Sequence, residues 1–323
     1  MEVNPKPTVD VVIPTYERPH EREEENNFVL EALKSVLSQT FTINMIFVVI
    51  DGQSKIVAGL IKKQNFSNVR VIETGQKVGG SNARNIGVSA SEADYIAFLD
   101  DDDLWYTQKI EEQIREICKF SGEENLVVFN QVKIEEPQGR YHISSQDVYE
   151  NNENISNYVF RHINDHNEHF DDSLIITSSI IASRKLLIKI PFKQILRFQD
   201  TDWEFRAYFN GHGHFLEINK PLTFYRTQYS GRNHSVSSKD NWSFANRWIR
   251  QYSQFMKMHA IKNFYDIFVI PVLYSDENIT KGGKIKSMFS FGESVSLSRR
   301  PMFTLWLAYR MTQRLFFRFQ LQK

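Results

Sequence analysis

The sequence predicts an α/β fold: a mainly parallel sheet with helices on both faces, followed by a helical C-terminal region. Three observations predict it. Near-continuous apolar strands alternate with segments of helical spacing through the first third of the chain. Polar or acidic residues stand where those strands end, which is where open α/β sheets bind ligands. Beyond a polar, turn-rich stretch from Tyr229 to Asn241, the apolar spacing is helical.

The elements follow in order. "VDVVIPTY" (9–16) reads as a buried strand ending near Pro14. "FVLEALKSVLSQ" (28–39) is a helix, with Phe28, Ala32, Leu33, Val36 and Leu37 on one face. "NMIFVVID" (44–51) is the second strand and "KIVAGLIKKQ" (55–64) the second helix. "VRVIET" (69–74), a helix through "SNARNIGVSAS" and the strand "DYIAFLD" (94–100) come next. A helix from about Tyr106 to Phe120 and the strand "LVVFNQV" (126–132) complete the pattern. From Gly139 to Ser173 periodicity fails, and a polar insertion is expected. Order returns at "SLIITSSIIASRKLL" (173–187). The expected division is 1–240 for a catalytic domain, with halves 8–135 and 136–240, and 241–323 for the helical region.

Of 323 residues, 41% are hydrophobic and 25 are Phe, enough to bury a sizeable core. A single cysteine excludes an internal disulfide framework. With no signal pattern at "MEVNPKPTVD", the chain reads as cytoplasmic. Cys118, inside the helical pattern "IEEQIREICKF", is expected to be a buried structural thiol. No apolar stretch is clean enough to span a bilayer. The formal charge is zero, yet the segment from Thr280 carries about +8, with Glu293 as its one acid. The acidic remainder and the lack of a stacking motif argue against nucleic acid as a partner.

The chemistry concentrates in "YIAFLDDDDLW" (95–105). Asp100, Asp101, Asp102 and Asp103 lie side by side, although adjacent like charges repel and raise one another's pKa. One Asp would cap the following helix; four exceed that need. A divalent cation would relieve the repulsion, and carboxylate oxygens suit Mg2+ or Mn2+. Such an ion at the mouth of an α/β sheet is placed to hold a diphosphate.

"VVIPTYERP", "VVIDGQS" and "GGSNARNIGVSASEADYIAFLDDDDLW", in this order, resemble glycosyltransferase family 2, the GT-A fold. "LRFQDTDWEFRAYFNGHGHFLEINKPLTFYR" (196–226) extends the similarity, so that it covers roughly residues 8–230. The family's Leu-Asp-x-Asp-Asp falls on Leu99, Asp100, Asp102 and Asp103, with Asp101 at the variable position. The resemblance implies that Asp100, Asp102 and Asp103 hold the metal and the donor's ribose and diphosphate, with Asp102 and Asp103 nearest the ion. It places Pro14, Thr15, Glu17 and Asp51 at the nucleotide base, with Asp51 accepting a uracil imide N–H. Arg84 would sit near the base or phosphates. Two departures, Glu17 for the usual Asn and Ile50-Asp51 for the usual Asp-Asp, leave another base open; uridine is the expectation. Asp200, on the family's Glu-Asp pair with Gln199 replacing the Glu, would be the general base, with Asp202 its rival.

Other signals carry less. His162, His166 and His169, with Asp165, Asp171 and Asp172, have zinc-like spacing but no confirming context. "GQKVGG" (75–80) lacks dinucleotide-loop spacing. "GRNHSVSS" (231–238) could close over donor phosphates, with His234 as the family's later His. The acidic "PHEREEENN" (19–27) reads as a solvated face. In the tail, Arg310, Arg314 and Arg318 recur at four-residue steps, with Leu305, Met311, Leu315, Phe316 and Phe319 broadly opposite. Such a helix suits an anionic membrane surface, or packing on protein with its Arg heads in water. The expected function is therefore metal-dependent, inverting transfer of a sugar from a nucleotide diphosphate to a glycan or glycolipid hydroxyl. Bacterial surface polysaccharide or lipopolysaccharide assembly, at the cytoplasmic face of the inner membrane, is the expected setting. A haloacid-type phosphatase or a non-catalytic docking protein is the alternative.

Overall fold

The computed structural model describes residues 6–18, 28–120, 122–135, 139–144, 148–150, 153–161, 175–226, 241–276 and 278–320, without the side chains of 281, 289, 294 and 311–320. The chain forms two compact units, Met1–Ile155 with Asp171–Ser238, and Ser156–Phe170 with Lys239–Lys323. The helical unit thus takes in a segment from Ser156 besides the C-terminal region.

In the first unit β1 (Val9–Thr15), α1 (Phe28–Leu37), β2 (Met45–Ile50), α2 (Lys55–Lys63), β3 (Val69–Glu73), α3 (Gly80–Ala90) and β4 (Tyr95–Phe98) alternate as expected. All seven residues of β1 are buried, which is why the strand reads as an unbroken apolar run. α1 buries Val29, Leu30, Leu33 and Val36, a helical stripe. β3 lies at the sheet edge with Arg70 and Glu73 exposed, charges that discourage pairing with another chain. α3 lies close against β1: a Cβ at Gly87 would come within 2.4 Å of the Val12 side chain, so this position requires glycine. Pairing of β1 with β4 stops at Val12, and β1 runs on beside β2 alone to Thr15. Pro14, which offers no N–H, sits beyond that parting.

The remaining elements of this unit are β5 (Leu104–Trp105), α4 (Lys109–Ile117), β6 (Leu126–Glu135), β7 (Tyr141–Ile143), β8 (Ile181–Ser183), α6 (Arg184–Lys189), α7 (Gln199–Phe209) and β9 (His214–Tyr225); α5 (Ile155–Val159) comes between β7 and β8 in the chain and, from Ser156, belongs to the second unit. The sheet order is β3-β2-β1-β4-β8-β6-β9-β5, with β7 on β6. β8 runs antiparallel to both β4 and β6, and β5 antiparallel to β9, so the second half of the sheet is mixed. α4 starts at Lys109 rather than Tyr106 because Leu104 and Trp105 are held as a strand against Phe224 and Thr223. Cys118 is exposed, contrary to expectation. α4 turns Ile110, Gln113, Ile114 and Ile117 inward, and the next position falls outside as the chain tightens to a 3₁₀ turn.

The second unit contains α8 (Trp242–Tyr252), α9 (Met258–Phe264), α10 (Ile270–Ser275), α11 (Lys281–Phe291) and α12 (Arg300–Gln320). A π-helical turn, Tyr265–Val269, joins α9 to α10. Its core is aromatic: Tyr265 lies 5.1 Å from Phe303 and 5.2 Å from Phe291 between ring centres. α12 buries Phe303 and Leu307, and Arg310 donates to Asp266 at 2.7 Å. The Arg310 head is therefore held by protein, where the sequence suggested water or lipid. Leu297, Met302, Leu305 and Tyr309 point outward instead, Leu305 being 72% exposed. Arg314 and Arg318 side chains lie outside the described residues, as do His162, His166, His169, Asp165, Asp171, Asp172, His234 and the segment 19–27. No helix among the described residues is long and apolar enough to cross a membrane.

Candidate active site

The acidic run leaves the carboxyl end of β4 as a turn, and three arginines from distant segments meet it. Arg84, from α3, donates to Asp100 and lies 5.8 Å from the Phe192 ring centre. Arg18, just past β1, forms a two-pronged pair with Asp101 at 2.7 and 2.9 Å. Arg226, just past β9, donates through Nε to the Asp102 carbonyl at 2.5 Å and through its backbone N–H to Asp103 at 3.4 Å. Its Nη1 pairs with Glu31 at 2.5 Å. Repulsion among four carboxylates is thus relieved in part by guanidinium groups of the chain itself, Arg84 at Asp100 and Arg18 at Asp101.

The individual carboxylates differ. Asp103 is buried and accepts from the Ser178 hydroxyl at 2.6 Å, and that hydroxyl in turn accepts from the Asp100 N–H. Burial, then the charges of Asp102 and Asp100, push the Asp103 carboxyl well above the usual range, against the pull of Ser178 and Arg226. Asp100 is also raised, by burial first, with Arg84 opposing. Asp102 has no hydrogen bond from another side chain among the described residues. Burial, followed by Asp101 and Asp100, pushes its carboxyl up to about 7. Arg84 keeps its proton more firmly than a free guanidinium: burial acts against it, but Asp100 and Asp200 outweigh burial.

At the neighbouring strand ends, Thr15 donates to Asp101 at 2.6 Å, while Glu17 is exposed. Asp51 accepts the backbone N–H of Val78 at 2.5 Å and that of Gly79, one hydrogen shared between both oxygens at 3.1 Å, so two donors in all fix the loop that leads into α3. A carboxylate has about four acceptor positions, so Asp51 keeps capacity for a ligand.

α7 brings Asp200 to this cluster. Asn85 pins the preceding loop, accepting from the Phe192 N–H at 2.9 Å and donating to its carbonyl at 2.8 Å. Ser81 donates to Gln199 at 2.8 Å, which docks the start of α7 on the start of α3. The half-buried Asp200 then lies within electrostatic reach of both Arg84 and Asp100. Asp202 is 3% exposed and bound to Arg206 at 2.7 Å, one helical turn on. The structure therefore gives the two rivals different surroundings: Asp200 faces the cluster and Asp202 holds the helix.

Three contributors have no role assigned from the sequence: the pair of Asp101 and Arg18, Ser178, and Glu204. Glu204 follows Asp200 by four residues, is fully buried, and neither carboxylate oxygen has a hydrogen-bond partner among the described residues. Burial, then the charge of Asp200, raises its carboxyl well above the ordinary 4.5. The folded protein thus holds a proton that the unfolded chain releases, so stability falls as pH rises above that value, by about 1.4 kcal/mol per unit, until the folded group ionises. Glu204→Gln is expected to raise the melting temperature, with a gain that grows as pH rises above the ordinary carboxyl value and levels off once the folded carboxyl ionises. A gain independent of pH would show that Glu204 is not held protonated.

Among the described residues no three Asp, Glu, His or Cys side chains are disposed around one metal position. The carboxylate with open acceptor positions is Asp102; Asp103, beside it, is buried and already accepts from Ser178 and the Arg226 N–H, leaving it part of its acceptor capacity. That set fits a hard cation held by one or two carboxylates, whose remaining positions go to water and substrate phosphates.

A family model described as "Glycosyl transferase family 2" matches residues 10–190. The amylovoran biosynthesis glycosyltransferase AmsB of Erwinia amylovora is 23% identical over 90% of this chain and 91% of its own length. GlyG, a glycosyltransferase of Streptococcus pneumoniae, is 24% identical over 68% of this chain and 70% of its own. Among solved structures, Staphylococcus aureus TarS 1-349 in complex with UDP-GlcNAc superposes with a TM-score of 0.64 at 16% identity, over 92% of this chain and 86% of that one. Of a longer TarS chain, 52% is covered.

Proposed function

The chain belongs to glycosyl transferase family 2, and from that premise we propose an inverting, cation-dependent transferase that moves a sugar from a uridine diphosphate donor to a glycan or glycolipid hydroxyl. One observation carries the reading: a half-buried carboxylate, Asp200, at the start of α7, lies within electrostatic reach of the Arg84–Asp100 pair at the carboxyl ends of the parallel strands. The TarS structures with UDP-GlcNAc and UDP support a nucleotide-sugar donor. The names of AmsB and of WfaP of Escherichia coli, a glucosyltransferase acting on a GlcNAc-diphosphoundecaprenol, support an acceptor in polysaccharide assembly.

In this mechanism Pro14, Thr15, Glu17 and Asp51 line the nucleotide, and Asp51 takes the imide N–H. Arg84 and Asp100 face the ribose and phosphates. Asp102 and Asp103 would hold Mn2+ or Mg2+, which when bound supplies Lewis-acid stabilisation of charge on the departing diphosphate. Asp200 orients the acceptor hydroxyl and takes its proton as the oxygen closes on the anomeric carbon. One carboxylate suffices, because the nucleoside diphosphate leaves without a proton donor.

The outward apolar residues Leu297, Met302, Leu305 and Tyr309, within a segment of about +8, favour contact with an anionic membrane surface, peripheral at the cytoplasmic face. Family membership leaves no place for the phosphatase alternative; a docking protein without turnover is separated from an enzyme by assay. A panel of nucleotide sugars with a lipid-linked acceptor, with and without manganese, should give transfer from a UDP-sugar that manganese stimulates. Vesicles rich in phosphatidylglycerol should accelerate it, and neutral vesicles should not. Absence of both binding and turnover across the panel would refute the enzyme; turnover indifferent to vesicle charge would refute the surface contact.

A further inference from the structure

Asp101 stands at the position the family motif leaves variable, yet among the four aspartates it is the most completely engaged by other side chains. It is 5% exposed and accepts three hydrogen bonds: Thr15 Oγ1 at 2.6 Å, Arg18 Nη1 at 2.9 Å and Arg18 Nη2 at 2.7 Å. The Asp100 side chain is 32% exposed and Asp102 is partly exposed, whereas Asp101, like the buried Asp103, points back into the protein. Three of its roughly four acceptor positions are filled from within the chain, so it has little left to offer a ligand. Its partners come from more than eighty positions earlier and belong to the segment that leaves β1. Arg18 is itself braced, with its guanidinium carbon 4.8 Å from the Tyr16 ring centre and 5.8 Å from that of Phe28.

We propose that Arg18 and Asp101 are a positioning pair that locks the exit of β1 to the acidic turn and thereby sets the width of the nucleotide pocket. The inference rests on the transferase reading: the β1 exit carries Thr15 and Glu17, proposed to meet the base, and the turn carries Asp100 and Asp102, proposed to meet ribose and diphosphate. Base and diphosphate are joined through one ribose, which bounds how far apart they can reach, so the two walls must stand within that span for both to be engaged at once. A planar two-pronged pair fixes distance and angle together; a lysine would supply charge without the angle. Holding the pocket in advance avoids an ordering cost at binding, so the pair acts on donor affinity more than on the bond-making step.

A double-mutant cycle tests this. Arg18→Lys, Asp101→Asn and the double variant are titrated calorimetrically with UDP in the presence of manganese, and kcat and donor KM are measured on the same preparations. Each single variant is expected to weaken UDP binding about tenfold, with KM rising in parallel and kcat within about twofold of wild type. The double variant should bind no more weakly than the weaker single, because one interaction is lost in all three. Arg18→Lys keeps the charge balance, so it carries the test should Asp101→Asn melt below the assay temperature. Losses that simply multiply in the double variant, or a fall in kcat with affinity unchanged, would overturn the pair and make Arg18 or Asp101 a direct ligand. Wild-type protein that binds no nucleoside diphosphate at all would instead overturn the transferase reading, a separate outcome from normal wild-type binding with unaffected variants.

Discussion

Asp200→Asn is expected to reduce sugar transfer by about two to four orders of magnitude, the usual contribution of a positioned base, while UDP affinity stays close to wild type. The amide has the shape of the carboxylate but cannot take a proton. A sugar hydroxyl is a weak nucleophile until its proton begins to leave, so the loss falls on the step in which the new bond forms. Asp202→Asn should behave in the opposite way. Its carboxylate is 3% exposed and its charge is matched by Arg206 inside α7. Removing one partner of such a buried pair strands the other and costs about 3–5 kcal/mol, so the melting temperature drops while the folded fraction still turns over. Single-turnover rates beside thermal melts separate the two. An Asp200→Asn enzyme with more than a tenth of wild-type transfer, or a fully stable but inactive Asp202→Asn enzyme, would reverse the assignment.

The contrast between these neighbours marks where reading the sequence reaches its limit. β1, β2 and β4 were legible because burial on both faces writes a continuous apolar run, and α1 because a packed helix repeats its apolar residues every three or four positions. β5 and β8, two and three residues long, are too short to write any period; their positions depend on β9, β4 and β6. The same holds for charge. The acidic run announces a site, but the guanidinium groups that pair with it come from positions 18 and 84, and the residue that pins its backbone from position 226; no local pattern ties them to it. Asp101 therefore looked spare when it is the most constrained of the four. Arg310 misled for the same reason, since its partner Asp266 lies 44 positions away. Glu204 is visible in the sequence as a carboxylate one turn after Asp200, but only the folded chain shows that it is buried without a hydrogen-bond partner among the described residues.

Asp102→Ala should have two effects of opposite sign. Asp100 is paired with Arg84, Asp101 with Arg18, and Asp103 with Ser178 and the Arg226 backbone. Asp102 is the carboxylate whose charge the chain leaves least compensated, and burial beside Asp101 and Asp100 pushes it up to about 7. A residue kept at that disadvantage weakens the cation-free fold, so alanine there should raise the melting temperature measured in chelator. Transfer should fall by about a hundredfold or more, the scale on which groups that offset developing charge contribute. The increase in melting temperature that manganese and UDP together give the wild type should vanish. The signs follow from one property, an unpaired negative charge held in a partly dry site for something positive to meet. Should alanine destabilise the chelated protein, or leave manganese stimulation intact, Asp102 is a structural residue and the cation belongs elsewhere.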